Sequence, residues 1–366
     1  MVAAGTILRS SALAIVALAN VARADVKEDP CACSPVKPGF FRRGNLTGDW
    51  NGERDTLKED GVVPQLVYAG EVFVAPGLPQ DLRAAGLLAL TLDLELEKLV
   101  HEGLGQLHVS SFAIHGHGLS AELEDVYGVS GNVAPRDIRL FEAWIEQPIA
   151  KATIRAGLLA ADQEFILAKH STALLNATFG IISQLSYNLL GPVYPVATPG
   201  VSARLELDGF TARAAVYDGD QHNEHGVPTS LGPNSLAIGE VELGELVKVG
   251  AWHHSTRGNG YYAIVDHQLD RYLAAFGRFG VSPNQFVSGY IDAGIRIGPG
   301  PFREHDFMGL GVAYASTSDT KLGEQTVFEA TYQAQFGWLT IQPDVQLLLQ
   351  HGRTASILAT RATVVF

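Results

Sequence analysis

Cysteine is nearly absent: 366 residues contain only Cys31 and Cys33. A single residue separates the two, so a bridge between them would be strained. Disulfides therefore do not staple the fold, and no third or fourth ligand lies close enough to complete a metal site. Long apolar runs are missing as well. Past the N-terminus no 18 uncharged apolar residues follow one another, which argues against membrane-spanning helices. Positive charge is scarce. Lys and Arg total 26 against 39 Asp and Glu, a net charge of −13, and no basic run occurs, so phosphate-rich nucleic acid is not a partner. The contiguous signatures of catalysis are lacking too, with no G-x-S-x-G, H-E-x-x-H or P-loop spacing. No catalytic residue and no cofactor is assigned, although a hydrolase with its triad scattered over several strands stays open. Among twelve histidines, His115 with His117 and His222 with His225 are close pairs. Neither pair has a third ligand in sequence, so no metal is assigned.

What is present describes an exported, folded chain. Hydrophobic residues make up 46% and charged residues 18%, a globular rather than a disordered balance. Arg9, the apolar "SALAIVALANVA" and Ala22-Arg23-Ala24 before Asp25 form a secretory signal over residues 1–24. A linker follows, marked by Pro30, Pro35, Pro38 and Gly39. A short amphipathic helix is then predicted, with Asp49 as N-cap and Gly61 as its stop. Residues 25–61 are thus an N-terminal linker and helix, and 62–366 the main domain.

After Gly61 the hydrophobic period falls to two. Strands are predicted near 63–75, 86–99, 104–115, 137–147, 152–159, 199–208, 209–218, 234–244, 245–254, 259–266, 273–281, 287–297, 306–315, 325–337, 338–349 and 356–366. That is sixteen, and each with its connector takes about 19 residues, the spacing of tilted strands that cross a bilayer. One face of each strand is polar. Ser202, Arg204 and Glu206 oppose Val201, Ala203 and Leu205; Asp292 and Arg296 oppose Ile291, Ala293 and Ile295. A soluble sandwich also alternates. Here the apolar face is built from small residues with Leu and Val, and large aromatics gather near strand ends, which suits contact with lipid. Connectors alternate between short turns and longer loops, three of them long: 116–136, 160–198 and 219–233. The 39-residue connector 160–198 carries the apolar text "HSTALLNATFGIISQLSYNLL". In a wide barrel its simplest place is the lumen, the alternative being an external cap. The expected fold is all-β: a closed antiparallel transmembrane barrel ending on Phe366.

Nine segments, in order, resemble the OprB family of carbohydrate-selective porins. "LTGDWNGERDTLKEDGV" (46–62), "RLFEAWIEQ" (139–147), "RAGLLAADQEF" (155–165), "LNATFG" (175–180) and "GPVYPVATPGVSARLE" (191–206) come first. "VYDGD" (216–220), "GRFGVSP" (277–283), "GLGVAYA" (309–315) and "WLTIQPDVQLLLQ" (338–350) complete the series. The family pattern has Gly where Asn51 stands, and its Asn-Pro-Gly is missing near "LLLQHGRT". The resemblance implies a sixteen-stranded barrel in the bacterial outer membrane through which sugars diffuse passively.

Such a barrel holds a water-filled channel whose inward side chains set selectivity. Glu142, Trp144 and Glu146 share one face of a strand, and Arg155 lies on the next. Carboxylates and guanidinium can exchange hydrogen bonds with sugar hydroxyls, and an indole can lie against a pyranose ring. Alternatively these are cross-strand pairs that stiffen the wall. Arg204, Glu206, Arg213, Arg278, Asp292 and Arg296 extend the polar lining. The partners expected are carbohydrate solutes, outer-membrane lipid, barrel-assembly machinery reading Phe366, and further copies of the chain. Rival readings are a general porin, an outer-membrane hydrolase and a soluble β-sandwich lectin.

Overall fold

The computed structural model describes residues 39–78, 82–189, 191–220, 231–299 and 303–366. The signal segment 1–24, the cysteines and the His222/His225 pair lie outside the described residues.

Period-two alternation after Gly61 produces sixteen strands. They are β1 Val62–Val74, β2 Leu82–Glu95, β3 Gln106–Gly116, β4 Asp137–Ile149, β5 Ala152–Leu159, β6 Thr198–Leu207, β7 Phe210–Asp218 and β8 Ser235–Leu243. β9 Val247–His254, β10 Gly258–Gln268, β11 Leu273–Val281, β12 Val287–Ile297, β13 Phe307–Thr317, β14 Glu324–Phe336, β15 Leu339–Gln350 and β16 Arg353–Val365 follow. Each pairs antiparallel with its sequence neighbours, and β1 pairs with β16, so the sheet closes into one barrel. Closure removes both free edges. With a single ring and no second sheet packed face to face, the β-sandwich lectin reading is set aside.

β5, β11 and β12 fall where the sequence places them. β2 shows the largest offset, found at 82–95 rather than 86–99. Alternation of Leu92, Leu94 and Leu96 runs past the last ladder bond. The chain then curls into one helical turn, Leu96–Leu99, where Val100 N–H reaches Leu96 O at 2.9 Å. β4 carries a bulge: Ser110 pairs with Glu142 and Ser111 with Leu140, leaving Phe141 as an extra residue. Arg139 and Phe141 are buried on one side of the bulge, and Glu142, Trp144 and Glu146 on the other. A simple alternating pattern through "RLFEAW" hides that change of phase.

The barrel is inverted relative to a soluble protein. Exposed apolar residues such as Val72, Ile145, Val216, Phe279, Ile291 and Val345 cover its outside. Buried charges, among them Glu71, Arg155, Arg278, Glu329 and Arg361, point inward. This is the distribution expected of a wall set between lipid and an interior polar space.

At the barrel base the N-terminal segment makes a 3-10 turn at Trp50–Gly52 and the helix α1, Glu53–Glu59. Asp49 caps the turn by accepting Asn51 N–H at 3.2 Å. Asn51 itself has φ 61° and ψ 32°, the left-handed region. Glycine enters that region freely and asparagine tolerates it, which explains why Asn can stand in the place of the family's Gly. The segment is tied to the closing seam by Leu46 N–H to Val365 O at 2.7 Å and Arg54 to Phe366 O at 3.1 Å.

Candidate functional site in the lumen

The described residues of the 160–197 connector, 160–189 and 191–197, run inside the barrel, and wall side chains fix their course. Glu142 accepts Ala160 N–H at 2.9 Å, and Glu240 accepts Ile166 N–H at 3.0 Å. Lys248 Nζ donates to Leu167 O at 2.8 Å, and Asp266 takes the N–H and ring of His170. Glu329 accepts the N–H groups of Leu175 and Asn176. Arg278 donates to Thr178 O at 2.7 Å and Gly180 O at 3.1 Å while held by Asp292 at 2.5 Å. Apolar loop residues Phe165, Ile166, Leu175, Phe179, Ile182 and Leu185 are buried with inward side chains such as Trp252, Tyr262 and Phe276. Burial of that apolar text supplies the drive, and the polar contacts set the register.

A second connector, 117–136, also folds inward, which its sequence did not signal. Ser130 Oγ and Asn132 Nδ2 donate to Glu71 at 2.9 and 3.0 Å, and Arg361 pairs with the same carboxylate at 2.5 Å. The two loops join where Gly131 N–H meets Leu175 O at 3.0 Å and Ala177 N–H meets Gly128 O at 2.9 Å. Both loops carry buried carboxyls. Burial pushes Asp162 up to about 6, against the pull of the Tyr194 N–H it accepts at 3.0 Å, and it raises Asp125 as well.

Across β2–β9 the inner wall keeps a row of acids and bases, parts of it in contact with solvent. Asp93 holds His108 Nδ1 at 2.7 Å; His108 stacks on Trp144 with ring centroids 4.7 Å apart. Arg155 lies over the other face of Trp144, its Cζ 4.0 Å from the ring centroid. The same guanidinium pairs with Glu146 at 2.6 Å and with the loop's Glu164 at 3.8 Å. Arg213 sits between Glu242 at 2.7 Å and Glu240 at 3.2 Å, and Lys248 continues the row 3.9 Å from Glu242. Side-chain exposure is 27% at Asp93, 16% at Arg213 and 18% at Lys248, so solvent reaches these positions, whereas His108, Trp144, Glu146 and Arg155 between them are buried. Each cation has at least one carboxylate neighbour, which leaves alternating donors and acceptors fixed in place for a passing polyol.

The sequence-derived residues divide by place. Glu142, Trp144, Glu146 and Arg155 come together as expected. Glu142, however, is buried against the loop backbone, and both faces of Trp144 are covered, by His108 and Arg155. Arg213 belongs to the row. Arg204 and Glu206 pair at 3.1 Å nearer the base, with Glu206 largely exposed. Arg278 and Asp292 face inward but are sealed under the loop at 0% exposure, which corrects the expectation that they line open water. Arg296 lies 4.5 Å over the Phe307 ring, and among the described residues no carboxylate pairs with it. His115 points outward, where its Nε2 meets Tyr68 OH at 3.1 Å, and the described residues hold no cluster of three or more metal-ligating side chains. Sequence reasoning missed Asp93, His108, Glu164, Glu240, Glu242 and Lys248. "GEVEL" at 239–243 carries the alternation that points Glu240 and Glu242 inward, whereas Glu164 sits in a loop with no period to read.

Comparison with known proteins agrees with this geometry. The family described as "Carbohydrate-selective porin, OprB family" matches residues 79–256 and 252–366. The high-pH structure of Pseudomonas putida OprB superposes with a TM-score of 0.79 at 17% identity, covering 90% of this chain and 100% of that one. The low-pH structure of the same protein gives 0.62 at 16% identity, over 89% and 99%. A mutant of Rhodopseudomonas blastica porin gives 0.53 at 10% identity, over 83% and 100%. None of the curated proteins matches.

Proposed function

Because the chain belongs to the OprB family of carbohydrate-selective porins, we propose that sugars cross its lumen along the acid–base row of β2–β9, in the bacterial outer membrane. The channel is a passive one, and nothing in the row needs a chemical step. The observation that carries the reading is Arg213, held between Glu240 and Glu242 with Lys248 beyond and still reached by solvent. A fixed guanidinium with carboxylates on two sides offers a sugar hydroxyl both a donor and an acceptor without moving. Glu142, Arg278, Asp292 and the buried Arg155, with its partners Trp144 and Glu146, serve the same task indirectly, by holding the loop that narrows the passage. Arg204, Glu206 and Arg296 offer further polar contacts below the row. Phe366 remains the segment offered to barrel-assembly machinery, and the apolar outer wall the surface offered to lipid and to further copies of the chain.

The test is flux in liposomes reconstituted with detergent-purified protein, comparing glucose, a disaccharide and a charged solute of similar size. Glucose is expected to pass faster than the charged solute. Replacing Arg213→Gln removes hydrogen bonds from a charged donor, worth about 1.5–3 kcal/mol, so sugar block of the ion current weakens roughly tenfold or more. Unchanged sugar block in that variant removes the site, and equal rates for all solutes favour a general porin.

A further inference from the structure

Arginines at the two ends of the barrel keep different company. At the long-loop end they pair with carboxylates: Arg83 with Glu122, Arg139 with Asp137 at 2.7 Å, and Arg353 with Glu124 at 2.8 Å. At the short-turn end Arg204 pairs with Glu206 at 3.1 Å and Arg303 with Asp306 at 3.0 Å, but four arginines also lie on aromatic rings. Arg54 is 4.2 Å over Trp50, Arg271 is 4.3 Å over Tyr272, Arg303 is 4.0 Å over Phe336, and Arg43 is 6.0 Å from Phe40. The Phe40–Arg43 stretch concentrates this chemistry. Phe40 and Phe41 are 48% and 58% exposed, a costly state for two adjacent phenyl rings in water. They are nonetheless held in place, packed on Trp338, whose Nε1 donates to Phe40 O at 3.0 Å. Gly337 lets the segment approach: a Cβ there would lie 2.5 Å from Arg43 O. Among the described residues neither Arg42 nor Arg43 forms an ion pair, although the whole chain carries 39 acidic residues.

We propose that Phe40–Arg43, seated on Trp338, is a docking site for the phosphate headgroup of an anionic glycerophospholipid in the leaflet at the short-turn end. The lipid-facing wall continues into this patch through the outward-facing, exposed Phe336. Phenyl rings settle at the boundary of headgroup and acyl chain. Guanidinium groups beside them meet phosphate oxygens in paired hydrogen bonds. The rings thus gain a medium that covers them, and the cations gain the counter-charge that the protein itself withholds.

The experiment reconstitutes the full-length protein carrying Trp50→Phe into phosphatidylcholine vesicles and titrates in brominated phosphatidylglycerol or brominated phosphatidylcholine. Bromine quenches an indole it touches. Trp338, itself 9% exposed, is the reporter, because it lies directly beneath the exposed Phe40 and Phe41, while Trp144 and Trp252 are inside the barrel. Each cationic side chain at a membrane surface contributes about fivefold in affinity, so phosphatidylglycerol should outcompete phosphatidylcholine by roughly that factor or more. Arg42→Gln/Arg43→Gln is expected to bring the ratio to one with folding and ion conductance intact. Phe40→Ser/Phe41→Ser is expected to weaken quenching by both lipids. A ratio of one in the parent, a preference that survives the double glutamine variant, or a Trp338 that no lipid quenches would each overturn the proposal. The readout does not depend on solute flux, so loss of sugar transport would leave it legible.

Discussion

Replacing Arg278 by methionine tests how the loop is held across the lumen. In the parent, Arg278 bridges Asp292 on β12 to the carbonyls of Thr178 and Gly180, with both side chains of the pair at 0% exposure. Arg278→Met leaves the Asp292 carboxylate buried with Tyr290 OH, 2.7 Å away, as its remaining donor, and leaves two loop carbonyls without theirs. Breaking one partner of a buried ion pair costs about 3–5 kcal/mol. If half of that falls on loop docking, the released population rises by about a factor of 13–70, since each 1.36 kcal/mol is tenfold. Two measurements read this: hydrogen exchange over 171–181, and single-channel current, which should show longer excursions to a wider level. The second variant, Arg278→Met/Asp292→Leu, removes the stranded charge and should recover most of the stability. Its coupling energy separates the pair from mere loss of packing. Equal damage in the single and double variants, or unchanged protection of 171–181 in the single, would refute the clamp.

Other expectations follow from neighbouring geometry. The folded pKa of Asp162 lies above that of an exposed aspartate, so its contribution is complete below about pH 4 and is lost as pH rises through about 6; the gap corresponds to about 3 kcal/mol. Intrinsically corrected hydrogen exchange near 160–165 should therefore speed up across that window, and Asp162→Asn should flatten the response. Gly250→Ala would place a Cβ 2.2 Å from the Tyr262 ring, whose hydroxyl donates to Glu240 at 3.0 Å. Overpacking of this kind costs about 1–3 kcal/mol, and urea unfolding in detergent should register it. Asn51→Gly should leave protease resistance of the N-terminal segment intact, while Asn51→Ala should lower it, by roughly 1–2 kcal/mol of left-handed strain.

Legibility in the sequence tracked the physical period. Where one face meets lipid and the other polar surroundings, as in "YIDAGIRIG", alternation over nine residues leaves little freedom, and β12 falls on its expected bounds. β2 drifted because Leu96 continues the alternation into a helical turn. The inward set was readable wherever charge alternates on a strand, as at Arg204 and Arg213. Which of those side chains meet water was not readable, because loops with no period decide it. The segment 160–198 announced itself by apolar text too long for a surface connector, and the structure places it in the lumen. The segment 117–136 gave no such signal; its anchors, Ser130 and Asn132, are small polar residues of the kind found in any loop. The sealing of Arg278 and Asp292 and the covered faces of Trp144 are products of that tertiary folding.

The carboxylates that steer the long inner loop grip its main chain: Glu142 at Ala160, Glu240 at Ile166, and Glu329 at Leu175 and Asn176. Every amino acid except proline brings the same amide hydrogen. The path is therefore written largely in the staves, and loop side chains outside the buried apolar set are the ones left freer to change. A lineage could alter which molecules are admitted, one loop substitution at a time, without rebuilding the cask.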